Sequence, residues 1–168
     1  MKPKLGDLRK SYKKGSLDLH HIGNNPLQLF QTWFYEAKDN QSIDEANAMS
    51  LTTLGEDGYP RARVVLLKDF SAKGFVFFTN YRSGKGKSLL KYPKVGLSFY
   101  WPSLERQIII KGVAEKLSPE KSDQYFQSRP RGSQIGAHVS PQSKVIPDRK
   151  FLEDVQTSLI KKFENSEI

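Results

Sequence analysis

The 168-residue sequence contains no cysteine. That absence removes disulfides, thiolate metal sites and cysteine nucleophiles together, and leaves no cysteine pattern to argue for secretion. Histidine is scarce: of the three present, His20, His21 and His138, none has a partner at metal-ligand or triad spacing, so each is read as structural or surface and no metal is expected. No window approaches the ~20 consecutive apolar residues of a membrane span, and the basic start MKPKLGDLRKSYKKG has no apolar run behind it. The expectation is a soluble, unprocessed, cytoplasmic chain without a membrane partner. Internal repeats and low-complexity segments are also missing.

Acidic residues are the minority: 18 Asp and Glu against 27 Lys and Arg leave a formal charge of +9. Such a balance suits a nucleic acid, a membrane surface or a small anion gathered by several cations. The lysines are scattered along the whole chain, and no helix-turn-helix, zinc-finger or RNP-like signature accompanies them. Most are therefore solvated surface, and no nucleic-acid partner is expected. A basic nucleic-acid module remains the contrasting class; it predicts steeply salt-dependent polyanion binding and no visible chromophore.

The length suits one domain, residues 1–168, with enough chain to bury a core. The organisation is α+β. Leu27, Phe30, Phe34 and Ala37 recur at helical spacing from Pro26 to about Lys38, with Asn25 before Pro26 as a start signal. Ala48 to Leu54 and Arg61 to Leu67 are β-prone and flank GEDGYP, where Asp57-Gly58 is expected to supply the positive φ values of a hairpin turn. Phe75 to Thr79, Val95 to Trp101 and Arg106 to Leu117 add three strands between turn-rich segments, so that five or more antiparallel strands suggest a small barrel. Helices are expected from Ser118-Pro119 to about Ser128, over Ser133 to Val139, and from Phe151 to Phe163.

Two regions carry chemistry. In RARVVLLKDFSAKGFVFFTNYRSGKGK, from Arg61 to Lys87, the group Arg63, Lys68, Thr79, Ser83 and Lys85 offers the converging charge-assisted donors that a phosphate dianion requires. Strand alternation puts Arg63, Val65 and Leu67 on one face and Val64, Leu66 and Lys68 on the other. SGKGK resembles a phosphate-cradling loop in composition but lacks full P-loop spacing, and a flexible surface turn with solvated lysines accounts for it equally well. The second region, YFQSRPRGSQIGAHVSPQS from Tyr125, crowds Arg129, Arg131, Ser133, Gln142 and Ser143 between helical segments, with helix-breaking punctuation at Pro130 and Gly132 as the plainer account.

RVVLLK from Arg63, FFTN from Phe77, WPSLERQ from Trp101 and SRPRGSQIGAHVSPQS from Ser128 occur in this order. Together they resemble the pyridoxamine 5′-phosphate oxidase family, from LRKSY at Leu8 through the last helix. The resemblance implies an antiparallel FMN-binding split β-barrel with flanking helices, and a homodimer with FMN at its interface. It also implies oxidation of pyridoxamine 5′-phosphate or pyridoxine 5′-phosphate to pyridoxal 5′-phosphate, with O2 as acceptor and hydrogen peroxide as by-product. The alternative is a split-barrel flavoprotein that binds FMN or pyridoxal phosphate and has another substrate or none.

Carried over by position, the implied FMN contacts are Arg63, Val64, Val65, Leu66, Leu67, Lys68, Phe78, Thr79, Lys85 and Gln107, with Gln142 and Ser143 from the other subunit. Implied substrate contacts are Lys68, Tyr125, Arg129 and Ser133, plus Arg9 and Tyr12 on an N-terminal segment, residues 1–24, that closes over the site in the family. No side chain is implied as a catalytic nucleophile, because the flavin does the chemistry. Gly84 stands where the family usually has an Arg, and Phe78 where a Tyr is common. The family's C-terminal strands, with a Trp and an Arg at the flavin and an Arg-Leu-His segment at the substrate, lie past the point matched by Ile168.

Overall fold

A computed structural model of the chain describes residues 4–18 and 22–168. The positions of His20 and His21 lie outside the described residues. Helix α1 spans Pro26–Asp39, and its start follows the sequence signal: the Asn25 side chain accepts from Leu27 N at 3.0 Å and Pro26 fills the first turn. Strands β1 (Ala48–Leu54) and β2 (Pro60–Leu66) pair antiparallel from Ala48 opposite Leu66 to Leu54 opposite Pro60. Their turn differs from the expectation at Asp57-Gly58, since only Gly58 is left-handed, at φ 79. Gly58 N donates to Gly55 O and Gly55 N to Tyr59 O, the turn-plus-bulge closure that needs one positive φ. Asp57 serves through its side chain, accepting from Arg61 at 2.5 Å.

The chain then changes sheets. Leu67 N donates to Asn47 O at 2.8 Å and the Asn47 amide returns a bond to Leu67 O, whereas the next residue, Lys68, donates to Val76 O. This corner starts a short hairpin of β3 (Asp69–Ser71) and β4 (Gly74–Val76). The strand expected over Phe75 to Thr79 therefore ends at Val76, and residues 77–80 run outside any ladder. The backbone there is instead recruited into a turn at Asn80, whose carbonyl accepts from Ser83 N and whose side chain accepts from Arg82 N.

That turn launches α2 (Gly84–Lys91), so the SGKGK stretch expected as a loop is a helix start, with Ser83 as its cap. Strands β5 (Lys94–Trp101) and β6 (Arg106–Val113) complete a sheet ordered β2-β1-β5-β6. The β6 ladder stops at Val113, short of the expected Leu117, with Ala114 N donating to Pro93 O beyond it. Helices α3 (Pro119–Ser128), α4 (Arg131–Val139) and α5 (Arg149–Lys162) follow. Among the described residues, no helix is long and apolar enough to cross a membrane.

Alternation decides which face of the large sheet is covered. Met49, Leu51 and Thr53 of β1 and Leu97, Phe99 and Trp101 of β5 are buried. On the opposite face Val64, Ser50, Ser98 and Ile109 share one register row, and Val64 and Ile109 are 69% exposed. Phe30 of α1 joins the parts, with its ring 5.0 Å from Phe70 and 4.8 Å from Phe75 of the hairpin and 5.2 Å from Phe99 of the large sheet. These are edge-on contacts, the arrangement favoured by the aromatic quadrupole.

Replacing Phe30 with Ala should cost about 3–5 kcal/mol of folding stability, because a fully surrounded ring leaves a cavity that two sheets and a helix cannot close together. Urea unfolding measures it; a loss under 1 kcal/mol would show that the hairpin packs without this ring.

Candidate functional site

The N-terminus of α2 is built by the turn at Asn80. Ser83, fully buried, donates from Oγ to Asn80 O at 2.6 Å and accepts from Gly86 N at 3.2 Å. A Cβ at Gly86 would come within 2.4 Å of Tyr81 O, so glycine is required there by the close approach of two backbone segments. Gly84 is different: a Cβ would meet only Ser143, at 3.7 Å. The helix start is thus open on that side, with free backbone N–H groups and the positive end of the helix dipole facing it.

Lys85, half-buried on the same turn, donates to Gln142 Oε1 at 2.7 Å. Gln142 and Ser143, expected from another subunit, thus reach Lys85 and Gly84 within one chain. Ser143 is held at φ 68, left-handed for a residue with a side chain, which is a conformation that costs free energy and needs surrounding support.

Arg63 lies on the inward side of β2, opposite Leu51 in register. One guanidinium nitrogen donates to Thr53 Oγ1 at 2.7 Å and to Leu51 O at 3.2 Å. Nε and Nη2 are left for a ligand, and the fork is oriented by a buried threonine. Burial and then the charge on Arg63 push the Lys85 pKa down, and burial followed by Arg61 does the same to Arg63. Two cations are thus brought together where their charge is opposed, and a bound anion relieves both.

A second group forms where α3 meets α4. Phe78 and Tyr125 lie face to face, centroids 3.6 Å apart and rings 5° from parallel, linking the first region to the second. The buried Gln134 amide donates to Phe126 O at 3.0 Å and Gln127 O at 3.1 Å, which ties the end of α3, just after Tyr125, to α4, which carries Ser133. The two arginines of this loop separate in role. Arg131 donates to the carbonyls of Phe163 and Ser166 and so closes the end of α5, whereas the half-buried Arg129 side chain has no hydrogen bond or ion pair among the described residues. His138, read as structural or surface, is exposed with its ring 5.7 Å from that of Phe126 and 6.3 Å from that of Phe163.

Other sequence candidates fall elsewhere. Val65, Leu66 and Leu67 are half-buried or buried parts of β2 and its corner, Val64 points outward, and Lys68 is exposed at the corner. Thr79 is half-buried beside Phe78. Gln107 stands on the outer face of β6, opposite exposed Tyr100, donating to Ser98 Oγ at 3.4 Å. From Arg63 it is separated by three strand spacings, about 14 Å, and by the thickness of the sheet. Arg9 and Tyr12 lie by the β5–β6 turn, and no hydrogen bond or ring contact joins them to Tyr125, Arg129 or Ser133. Sequence reading missed Thr53 and Gln134; β1 alternation marks Thr53 as an inward polar residue, while nothing local marks Gln134.

Residues 36–158 match the family profile described as pyridoxamine 5′-phosphate oxidase. The chain is 51% identical over 168 residues to the pyridoxine/pyridoxamine 5′-phosphate oxidase of Christiangramia forsetii, covering 100% of this chain and 78% of that protein. Against the protein of the same name from Leptospira interrogans it is 49% identical, with coverage of 100% and 78%, and against that of Synechocystis sp. 47% identical, with coverage of 98% and 76%. Among solved structures, PhzG from Burkholderia lata in complex with tetrahydrophenazine-1-carboxylic acid has a TM-score of 0.79 at 25% identity, covering 88% of this chain and 75% of PhzG. A pyridoxamine 5′-phosphate oxidase-related, FMN binding protein from Nostoc punctiforme gives 0.60 at 17%, covering 79% and 73%, a likeness of fold.

Gly86→Ala should loosen the start of α2 and cost roughly 1–3 kcal/mol, since backbone must move to admit the methyl group; calorimetric melting checks it. The lowered Lys85 pKa sets a pH dependence. The folded chain binds this proton less tightly than the unfolded chain does, so the Lys85 contribution destabilises at lower pH and fades as pH rises through the lowered folded value towards the ordinary lysine range. Phosphate binding needs the charged form. Its affinity, followed by titration calorimetry, should decline with rising pH before ordinary lysines titrate, and Lys85→Met should remove that component.

Proposed function

This chain belongs to the pyridoxamine 5′-phosphate oxidase family, and from that membership we propose that it oxidises pyridoxamine 5′-phosphate or pyridoxine 5′-phosphate to pyridoxal 5′-phosphate, with FMN as cofactor and O2 as acceptor, giving hydrogen peroxide. Its fold is the α+β split β-barrel with flanking helices, and the reading takes residues 1–168 as one cytoplasmic domain. The observation that carries it is the half-buried Lys85 at the start of α2, whose charge is opposed by burial and by the half-buried Arg63 of β2. Their lowered proton affinities fit the phosphate of FMN, and the space beside Gly84 admits it. When bound, FMN supplies the redox chemistry, accepting hydride from the substrate and passing the electrons to O2.

The side chains bind and orient. Arg63, Lys85, Gln142 and Ser143 hold the cofactor phosphate end, with Thr79 and Lys68 near the same edge. Arg129, without a hydrogen-bond or ion-pair partner among the described residues, takes the substrate phosphate, and Ser133 and Tyr125 fix its direction. Gln134 keeps these groups in register through the α3 carbonyls. Catalysis in this reading is positional, since a reacting carbon held in line and in contact needs no protein nucleophile.

Gln107 supports a second copy of the chain. It is too far from Arg63, and on the wrong face, to join the same site within one molecule. The uncovered outer face bearing Val64, Tyr100 and Ile109 is apolar enough to pair. A homodimer that buries this face would bring Gln107 of one copy towards the cofactor of the other.

A second reading, a split-barrel flavoprotein with another substrate or none, is favoured by one observation: PhzG, similar over most of this chain, holds tetrahydrophenazine-1-carboxylic acid, which carries no phosphate. Arg129 would then have no phosphate to meet. Anaerobic mixing of the FMN-loaded protein with pyridoxamine 5′-phosphate, followed by oxygen, separates the readings: bleaching and recovery of the flavin band supports the oxidase, and a persistent band supports the second. Lys85→Ala should weaken FMN binding about 10–100-fold, the loss of one charge-assisted phosphate contact. Arg129→Ala should raise KM by a similar factor with FMN retained; flavin loss without a KM change would reverse these assignments.

A further inference from the structure

We propose that Glu105 is a positioning residue for substrate capture: its carboxylate holds the N-terminal segment at residues 10–14 and thereby sets where Arg9 and Tyr12 stand. Glu105 ends the turn between β5 and β6 at φ 55, a left-handed conformation uncommon for a residue with a side chain. Although the turn is on the surface, its side chain is only 7% exposed. What covers it is the segment. Oε2 accepts from Lys13 N at 2.7 Å and from Lys14 N at 2.9 Å, Oε1 lies 3.5 Å from Lys10 Nζ, and Lys14 Nζ donates to Ser103 O at 2.6 Å. The Lys14 amide, the Lys13 amide and Lys10 hold the carboxyl below the usual carboxylate range, so the charged form makes these bonds through the neutral pH region.

Every described residue from Lys4 to Asp18 is exposed. Tyr12, Lys14 and Leu17 stand on one side of a cavity of about 230 Å³ whose other side is Trp33, Leu104 and Arg106, so the chain arches over a hollow where close packing would otherwise anchor it. Opposite the segment the frame is firm: the Arg106 guanidinium lies 4.7 Å from the Trp33 ring centre and pairs with Glu36 of α1. Glu105 also stands immediately before β6, two residues ahead of Gln107 on that strand. The turn that carries the latch for the substrate segment thus runs directly into the strand that carries the cofactor candidate, and the spacing between them is covalent. This inference rests on the reading of Arg9 and Tyr12 as substrate contacts.

The test uses the full FMN-loaded chain with Glu105→Ala and Glu105→Gln. The first variant should raise KM for pyridoxamine 5′-phosphate about tenfold or more, the loss of hydrogen bonds to a charged group, with kcat and flavin affinity unchanged and with faster hydrogen exchange at the Lys13 and Lys14 amides. The Gln variant, which keeps one acceptor and the side-chain volume, should fall between. In Arg9→Ala/Tyr12→Ala background, adding Glu105→Ala should raise KM no further, whereas a merely structural Glu105 would give additive losses. Unchanged exchange at residues 10–14, or faster exchange with KM unaltered, overturns the proposal. If the unmodified protein does not turn over pyridoxamine 5′-phosphate, the functional reading fails, and the exchange measurement by itself still decides whether Glu105 holds the segment.

Discussion

The ring of Phe30 is the contact on which the remaining structure depends. The large sheet and the β3–β4 hairpin are separate hydrogen-bonded units joined by the corner at Leu67 and Lys68. Backbone bonds alone leave that corner free to bend, whereas Phe30 touches rings from both units and from its own helix. The position of the hairpin then decides where residues 77–80 emerge, and hence where the Asn80 turn points α2. A hydrophobic contact in the core thus aims the helix start that carries Lys85. Large apolar contact areas suit this task because they are undirected and tolerate the bend, while the short hydrogen bonds at Asn80 and Ser83 supply the direction.

The electrostatics of the site follow from the same construction. Arg63 comes from a strand and Lys85 from a helix, and both are half-buried without an acidic partner among the described residues. A structural ion pair would have an Asp or Glu between them, as Arg106 has Glu36. Here the balancing oxygen atoms are those of Gln142 and Thr53, neutral groups that orient the cations without neutralising them. Such an arrangement lowers stability slightly and keeps affinity for an anion available, the usual exchange at a binding site.

Distribution of the candidate residues over the sheet bears on assembly. The inward face of β2 and the outward face of β6 cannot serve one ligand in one molecule, yet both carry residues the family resemblance assigns to the flavin. An uncovered apolar face between them, with small Ser50, Thr52, Gly96 and Ser98 at its centre, permits close approach of a second sheet. Small side chains at the middle and larger ones at the edges make a surface that another copy can meet by shape.

Much was legible in the residues themselves, because the signals were local. Asn25-Pro26 and Ser118-Pro119 began helices since a cap and a preset φ act within one turn, and the β-prone run Ala48 to Leu54 marked a strand. The ordered segments from RVVLLK to SPQS identified the family and its cationic residues. What failed had two causes: Phe77 to Asn80 has strand composition but no neighbouring strand to pair with, and SGKGK starts a helix because Asn80 and Ser83 complete a local cap that glycine content conceals. That Gln142 reaches Lys85 within the chain, which loop arginine is already bonded, and why a turn glutamate is buried by residues 91 and 92 positions away were decided by the tertiary structure. By itself the sequence determined most of the element types, the cationic inventory and the family, since propensity, capping and motif order are properties of neighbours along the chain. Only the fold decided which of those residues meet and which are already occupied, because hydrogen-bond partners and burial are properties of neighbours in space.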